Sequence, residues 1–433
     1  MRAAAYQMKT MKTIKIVLLA AVCALPCTAR ATMIEFDGTA GPITGAAVFS
    51  SDIPEASAPE RRAPAEWTIM VYMNAKNNLE SSAIKDINEM EAVGSTDKVN
   101  ILVEAGRIDG YDASNGDWKS TRRYRIARDA DAAKIGSPVL ADLGKTDMGD
   151  YRNIAAFGQW AKANYPAKRY MFIVWNHGSG WERKKSRGIS YDEETGNHVN
   201  TPQLGSALRE IGGVDLYASD ACLMQMVEVA YELRGSAAFI AGSVETEPMD
   251  GFDYAALLSP LAAGPSMSPE QLGKILVDSF IAQYVSPSRG ATYSLIKASE
   301  LTGLAAATKK FTAAALRSGD KTPFLKARAA AQAYSRQENK DFYDLARLAA
   351  EGVSAPEVRT PALAVMEQLK RKVLIYSSFN NSDGSSWWMP TDFDDTNGLT
   401  VYLPAIAPAA GYSELQWADD SGWLDFAAWL ARP

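Results

Sequence analysis

Two apolar runs, each stopping abruptly at a reactive side chain, constrain this chain more than any other feature. The first is Met171-Phe172-Ile173-Val174-Trp175, which leads into Asn176-His177-Gly178-Ser179-Gly180-Trp181. The second is Val214-Asp215-Leu216-Tyr217-Ala218-Ser219, which leads into Asp220-Ala221-Cys222-Leu223-Met224. Short runs of this kind suit strands buried on both faces of a parallel sheet. The chain holds 2 His and 3 Cys in 433 residues. One of each placed just beyond a strand therefore marks a candidate Cys/His site.

Other segments supply the remaining layers. Residues 67–73 form another near-continuous apolar run and predict a first strand. Residues 78–91 predict a helix, with Leu79, Ala83, Ile84, Ile87 and Met90 on one stripe. Strands follow at 99–105 and, as an edge or hairpin arm, at 120–127. Asp150 caps a predicted helix running to 164, which feeds the strand at 169–175. Thr201 and Pro202 open a helix to 211, ahead of the strand at 214–219. Leu223, Met226, Val227 and Ala230 give a helical stripe with Cys222 at its start, and 239–244 is a fifth core strand. Strand–helix alternation of this kind predicts an α/β fold, a mostly parallel sheet with helices on both faces.

Beyond residue 257 helices dominate, at 269–284, 299–317, 322–335 and 355–370, with strands at 292–296, 373–377 and 399–403. The predicted organisation is 1–31, 32–65, 66–257 and 258–433, the last either extending the sheet or packing beside it.

Residues 1–31 predict a secretory signal. Lys9, Lys12 and Lys15 precede a short apolar stretch at 16–27, and Ala29-Arg30-Ala31 fits a small-x-small cleavage site. The apolar stretch is too short for a bilayer core of roughly 30 Å, so no stable membrane span is expected. Residues 32–65 are rich in Ala, Pro, Gly and Ser and predict a flexible leader or pro-segment. Removing Arg2, Lys9, Lys12, Lys15 and Arg30 with the signal takes the net charge from -6 to -11. An acidic surface disfavours nucleic acid as a partner. It would weakly attract cationic substrates. Cys23 and Cys27 leave with the signal, so Cys222 is the one thiol expected in the mature chain.

Both His177 and Cys222 fall just past the carboxyl end of a predicted parallel strand, the edge at which open α/β sheets bind ligands. A helix start at Cys222 would favour the thiolate. His177 could accept its proton and later return it to a leaving amine. The amides of Gly178 and Cys222 are candidates for an oxyanion hole, because a glycine lets a carbonyl approach closely. Structural roles compete: a buried Cys is usually a small hydrophobe. Two His and one Cys make a poor zinc set. The acids at 245–254 would suit calcium, but their spacing matches no calcium loop and no metal ligand is assigned. Residues 182–200 are polar without periodicity and predict a loop, in which His198 is expected to be solvated. Asp220 shares a face with Cys222 if strand geometry persists. It would raise the thiol pKa, which suits binding of a cationic substrate group better than activation. The alternative is a helix N-cap.

These residues carry a resemblance. Asn77-Asn78-Leu79-Glu80 after the first strand, Asp86-Ile87-Asn88-Glu89-Met90-Glu91, the His177 and Cys222 motifs and Glu245-Thr246-Glu247-Pro248 resemble the clostripain family of cysteine peptidases, in the clan of caspases, legumain and gingipains. Weaker echoes, Asp341-Phe342-Tyr343-Asp344-Leu345 among them, extend it to the C-terminus. The resemblance implies a caspase-like α/β sandwich and a Cys222/His177 dyad. It implies cleavage of protein or peptide substrates after Arg or Lys, with Asp220 and a second acid, Asp250, in the pocket. It also implies self-cleavage at Lys184, Lys185 or Arg187, in a secreted, periplasmic or cell-surface enzyme. Calcium dependence occurs in the family, but no motif here requires the ion, and Asn74, Lys76, Asn77 and Asn78 stand where the family usually carries acids. Two other readings of the residues are an inactive binding protein on a peptidase scaffold and a Cys amidohydrolase acting on small amides.

Overall fold

The computed structural model describes residues 64–181, 188–285, 289–384 and 392–432. The predicted signal, nearly all of the leader and the candidate cut sites Lys184, Lys185 and Arg187 lie outside the described residues.

The core is a nine-stranded sheet. Chain order runs β1 (Ala65–Ala75), α1 (Glu80–Val93), β2 (Val99–Arg107), β3 (Thr121–Arg125), β4 (Val139–Asp142), α2 (Tyr151–Asn164), β5 (Ala167–Trp175), β6 (Ile189–Asp192) and β7 (Asn197–Val199). It continues through α3 (Thr201–Ile211), β8 (Val214–Asp220), α4 (Val227–Leu233), β9 (Ala237–Gly242), α5 (Tyr254–Ala263), α6 (Pro269–Tyr284) and β10 (Ala291–Lys297). The second half adds α7 (Leu301–Ser318), α8 (Thr322–Ala330), β11 (Asn339–Asp341), α9 (Phe342–Gly352), α10 (Pro356–Gln368), β12 (Leu374–Asn380) and β13 (Thr400–Tyr402). It closes with α11 (Gln416–Asp420) and α12 (Trp423–Ala431).

Across the sheet the order is β12-β10-β9-β8-β5-β1-β2-β3-β4. The five central strands are mutually parallel. Antiparallel strands flank them, β10 and β12 on one side and β3 and β4 on the other. This is the expected α/β sandwich with a mostly parallel sheet.

Apolar runs specify burial on both faces because successive side chains point to opposite sides. Trp67, Ile69, Val71 and Met73 of β1 join one core with residues of α1, α5 and α6. Met70 and Tyr72 of the same strand face the opposite core, with residues of α2, α3, α4 and α7. Full burial of each large apolar side chain is worth about 1.5–3 kcal/mol, so both layers of helices are held by the same strands.

Local signals place several helices. Asp150 accepts from the Arg152 amide at the start of α2. Asn200 and Gln203 form a reciprocal capping box ahead of α3, and Ser268 and Gln271 do so for α6. Each supplies partners for amides that the first helical turn leaves unpaired.

Two expectations need correction. The stretch 182–200 is not a plain loop: β6 and β7 form an antiparallel pair within it. No helix begins at Cys222. The chain turns there, and α4 starts only at Val227. A strained residue makes the turn, Leu223, with φ +63. A bulky side chain in the left-handed region has no signature in hydrophobic spacing.

Candidate active site

Register brings the two reactive residues together. On β5 and β8, Trp175 pairs with Asp220, and the Asn176 amide donates to the Asp220 carbonyl at 3.2 Å. His177 and Cys222 each follow that last pair by two residues. Both line one cavity of about 230 Å³, together with Trp175, Asp220, Glu247 and Met249.

The turn after β8 is fixed from the neighbouring segment. Leu223 N donates to Glu245 O at 3.0 Å, and Gln225 N to Ser243 O at 2.9 Å. The half-buried Cys222 thiol accepts from the Glu247 amide at 3.2 Å. Burial first, and then the Glu247 carboxylate, push the thiol up to about 12. No helix dipole opposes this, since α4 begins five residues later. The resting sulfur is therefore a neutral thiol, which needs a base for ionisation.

His177 is half-buried, and burial lowers its pKa, so it rests as a neutral imidazole. Its Nε2 lies 2.7 Å from Asn78 Oδ1. With that carbonyl accepting, Nε2 carries the proton and Nδ1 is the basic nitrogen. Asn78 sits in the turn after β1, which is anchored to the β6–β7 pair. Asn77 donates to Tyr191 O, Asn74 to Ser190 Oγ, and the Lys76 ammonium to Glu194 at 2.8 Å. Asn78 as a partner of His177 was not visible in the sequence, where it lay near the start of a predicted helix.

The acidic residues divide into two groups. Asp220 is buried and accepts from Tyr254 Oη at 3.0 Å. It is not a helix N-cap. Both carboxylate oxygens of Glu247 and one of Asp86 are buried without a hydrogen-bond partner, although Glu247 and Asp220 are close enough to share a proton. Asp86 accepts from Trp175 Nε1 at 2.7 Å. Burial is the main cause that raises all three, Asp220 to about 7. The mutual repulsion of Asp86, Asp220 and Glu247 adds to it for Asp86 and Glu247. Each is thereby biased towards its protonated form, against a smaller opposing pull of Lys85 on Asp86. Asp250 stands apart. Its side chain is 47% exposed and is paired with Lys85 at 3.3 Å and Arg289 at 3.1 Å. It pins the segment over the cavity and is not among the residues lining it. Glu247 is the acid that sequence reasoning missed; its place in the Glu245-Thr246-Glu247-Pro248 motif was the available signal.

His198 is not simply solvated. It lies on β7 and its ring stacks on Tyr191 with centroids 5.3 Å apart. A calcium ion fits poorly here. Among the described residues no group of three or more Asp, Glu, His or Cys is arranged to hold a metal. Asp192 and Glu194, near the turn after β1, are already paired, both with Lys76 and Glu194 also with Lys145.

A half-buried thiol, a neutral imidazole with an oriented proton and a buried acidic recess can together support acyl transfer at a carbonyl beside a cation. Comparisons with known proteins point the same way. The family model described as the clostripain family matches residues 71–429. Clostripain from Hathewaya histolytica is 30% identical over 228 residues, 47% of this chain. That alignment spans 43% of clostripain, less than half its length. Among solved structures, a secreted C11 cysteine protease from Bacteroides thetaiotaomicron in complex with an irreversible peptide inhibitor has a TM-score of 0.65 and 22% identity. An inactive zymogen C11 protease from Parabacteroides distasonis has a TM-score of 0.61 and 20% identity. Each likeness covers 83% of this chain and 99% of the other, and is a likeness of fold.

Proposed function

This chain belongs to the clostripain family of cysteine peptidases, and on that premise we propose that it is an exported endopeptidase that cuts after arginine or lysine through a Cys222/His177 dyad. The observation that carries the proposal is the cavity shared by His177, Cys222, Asp220 and Glu247.

His177 Nδ1 takes the thiol proton and the sulfur attacks the peptide carbonyl. The amides of Gly178 and Cys222 receive the negative oxygen. Collapse expels the amine, which takes the proton from His177. Water, deprotonated by the same imidazole, then releases the acid and restores the thiol. Asn78 holds the ring in the required tautomer throughout.

Specificity rests on the buried acids. A guanidinium or ammonium entering beside Asp220 and Glu247 gives them the counter-charge they lack, and both can then ionise. The same cation balances the charge that Glu247 then carries, so the ionised acid does not add to the raised thiol of Cys222. A neutral side chain leaves the recess without a counter-charge.

Self-processing in the segment 182–187 is part of the proposal, because Lys184, Lys185 and Arg187 are residues of the favoured type. Trp181 and Gly188 hold its flanks, the first packed on Tyr402 and Tyr412 and the second bonded to Ser179. Export is supported by the basic and apolar N-terminal pattern. No helix among the described residues is long and apolar enough to cross a membrane.

The test is the intact mass of wild type beside Cys222→Ala, together with cleavage of reporters ending in Arg, Lys or a neutral residue. The expected result is a split between 182 and 188 and cleavage after Arg and Lys, both in wild type alone. Activity persisting in Cys222→Ala would sink the mechanism. Equal cleavage after a neutral residue would sink the specificity.

A further inference from the structure

A second hollow, of about 780 Å³, lies in the C-terminal half. The antiparallel pair of β11 and β13 forms one side. The end of α8 forms another, and the segment 404–410, Pro-Ala-Ile-Ala-Pro-Ala-Ala, forms the rim. Most of the lining is aliphatic, and Ile406 on the rim is 76% exposed.

Two cations sit in this apolar setting. Lys340 lines the hollow while only 6% exposed, and none of the side-chain hydrogen bonds and ion pairs of the described residues involves its ammonium. Arg328, half-buried, donates to the Pro404 carbonyl at 3.0 Å and has no carboxylate partner among the described residues. No acid among the described residues forms an ion pair with either. Asp341 follows Lys340 on β11 and points to the other face, where it accepts from Tyr334, Asn397 and the Asp344 amide. Glu338 also lines the hollow but forms no ion pair with either cation. Burial and then the neighbouring Arg328 hold the Lys340 ammonium below its usual pKa, against a smaller opposing pull from Glu338. The Lys340 ammonium is not among the fully buried polar atoms without a partner, so it opens onto the hollow, where two neighbouring cations repel each other unless an anion lies between them.

We propose that this hollow is a binding site for a carboxylate carried on an aliphatic body. The acid group lies between Lys340 and Arg328, and the aliphatic part runs along Leu403, Pro404 and Ile406. Convergent polar groups within an apolar recess are the general form of a small-ligand site. A carboxylate matches the charge, and an aliphatic chain matches the small apolar walls. Free fatty acids and the C-terminal end of an apolar peptide share this chemistry. Tyr402, another lining residue, packs edge-on against Trp181 with centroids 4.9 Å apart. The ligand would thus rest on the aromatic group that anchors the His177 loop.

Calorimetric titration of the full-length protein tests the proposal without reference to cleavage. The probes are octanoate against octanamide, and acetyl-Ala-Leu-Ala with a free or an amidated C-terminus. The expected result is binding of at least one acid, with its amide weaker by about tenfold or more. Lys340→Met and Arg328→Met should each weaken the acid by about tenfold. The Lys340→Met melting temperature should stay near that of wild type, because the ammonium makes no hydrogen bond or ion pair with the described residues. Preference for octanoate would assign the site to fatty acids, and preference for the peptide acid to peptide C-termini. Equal binding of acid and amide, unchanged affinity in both variants, or binding of neither acid would each overturn the proposal.

Discussion

Gly178 lies against the backbone of Cys222: a β-carbon at Gly178 would stand 2.4 Å from the Cys222 carbonyl oxygen and 3.1 Å from its amide nitrogen. The contact ties the loop after β5 to the turn after β8. It holds the two proposed oxyanion donors beside each other.

Gly178→Ala should therefore move the nucleophile and not merely fill space, because the atoms in the way are backbone. The expected loss in kcat/KM is about a hundredfold, the scale of a displacement near 1 Å at a reacting group. Kinetics and a melting curve on the same preparation check this. Full activity in a folded variant would remove the close approach from the mechanism.

Asn78→Ala should leave the fold intact, since Asn78 is exposed. It removes the acceptor for His177 Nε2. We expect kcat to fall by roughly tenfold to a hundredfold as the tautomer and ring orientation loosen. KM should change little. A rise in KM with constant kcat would instead make Asn78 a substrate contact.

The acid cluster predicts an unusual pH dependence of stability. Asp220 is raised to about 7 by burial. The protonated form is therefore favoured in the folded state. That contribution is fully present below the unfolded carboxylate pKa of about 4 and is lost as pH rises through about 7. Across this window the unliganded enzyme should lose on the order of 2–4 kcal/mol. Denaturant titrations from pH 4 to 8 measure it. Asp220→Asn should flatten the decline, and a slope as steep as that of wild type would show that other groups carry it.

Glu247→Gln tests the electrostatic link between pocket and nucleophile. The charge of Glu247 is the largest contribution after burial to the raised thiol of Cys222. Because burial favours the protonated acid, the change should leave the thiol nearly unaltered while Glu247 is neutral and lower the thiol pKa at the higher pH where Glu247 is ionised. Alkylation by iodoacetamide, which needs the thiolate, should then match wild type near neutral pH and run faster only in the alkaline range. Cleavage after Arg and Lys should fall at the same time. Slower alkylation would contradict the proposed link.

Asp250→Ala separates pinning from recognition. Its pairs with Lys85 and Arg289 are partly exposed and together worth about 1 kcal/mol or less. Preference for basic residues should survive, with KM raised a few fold as the segment over the cavity loosens. Loss of the preference would return Asp250 to the pocket role that the sequence suggested.

Much of the frame was legible beforehand because its signals are local. The run at 67–73 alternates faces yet is apolar throughout, which requires a strand covered on both sides. Asp150, Thr201 and Pro202 marked helix starts that the structure has at Tyr151 and Thr201. The stretch around Leu223 was misread because an apolar spacing suitable for a helix says nothing about the left-handed turn within it. The β6–β7 pair was missed because it is short and polar, and it is held by partners such as Asn74, Lys76 and Asn176 that are remote in sequence.

By itself the sequence determined the layers and the edge of the sheet at which chemistry could occur. Strand periodicity, capping residues and the placement of His177 and Cys222 are properties of neighbouring residues. Only the tertiary structure decided the register of Trp175 with Asp220, the pairing of His177 with Asn78, the choice of Glu247 over Asp250 for the cavity and the state of the thiol. Each of these depends on which strands lie side by side and on how much water their loops exclude, and no local pattern encodes either.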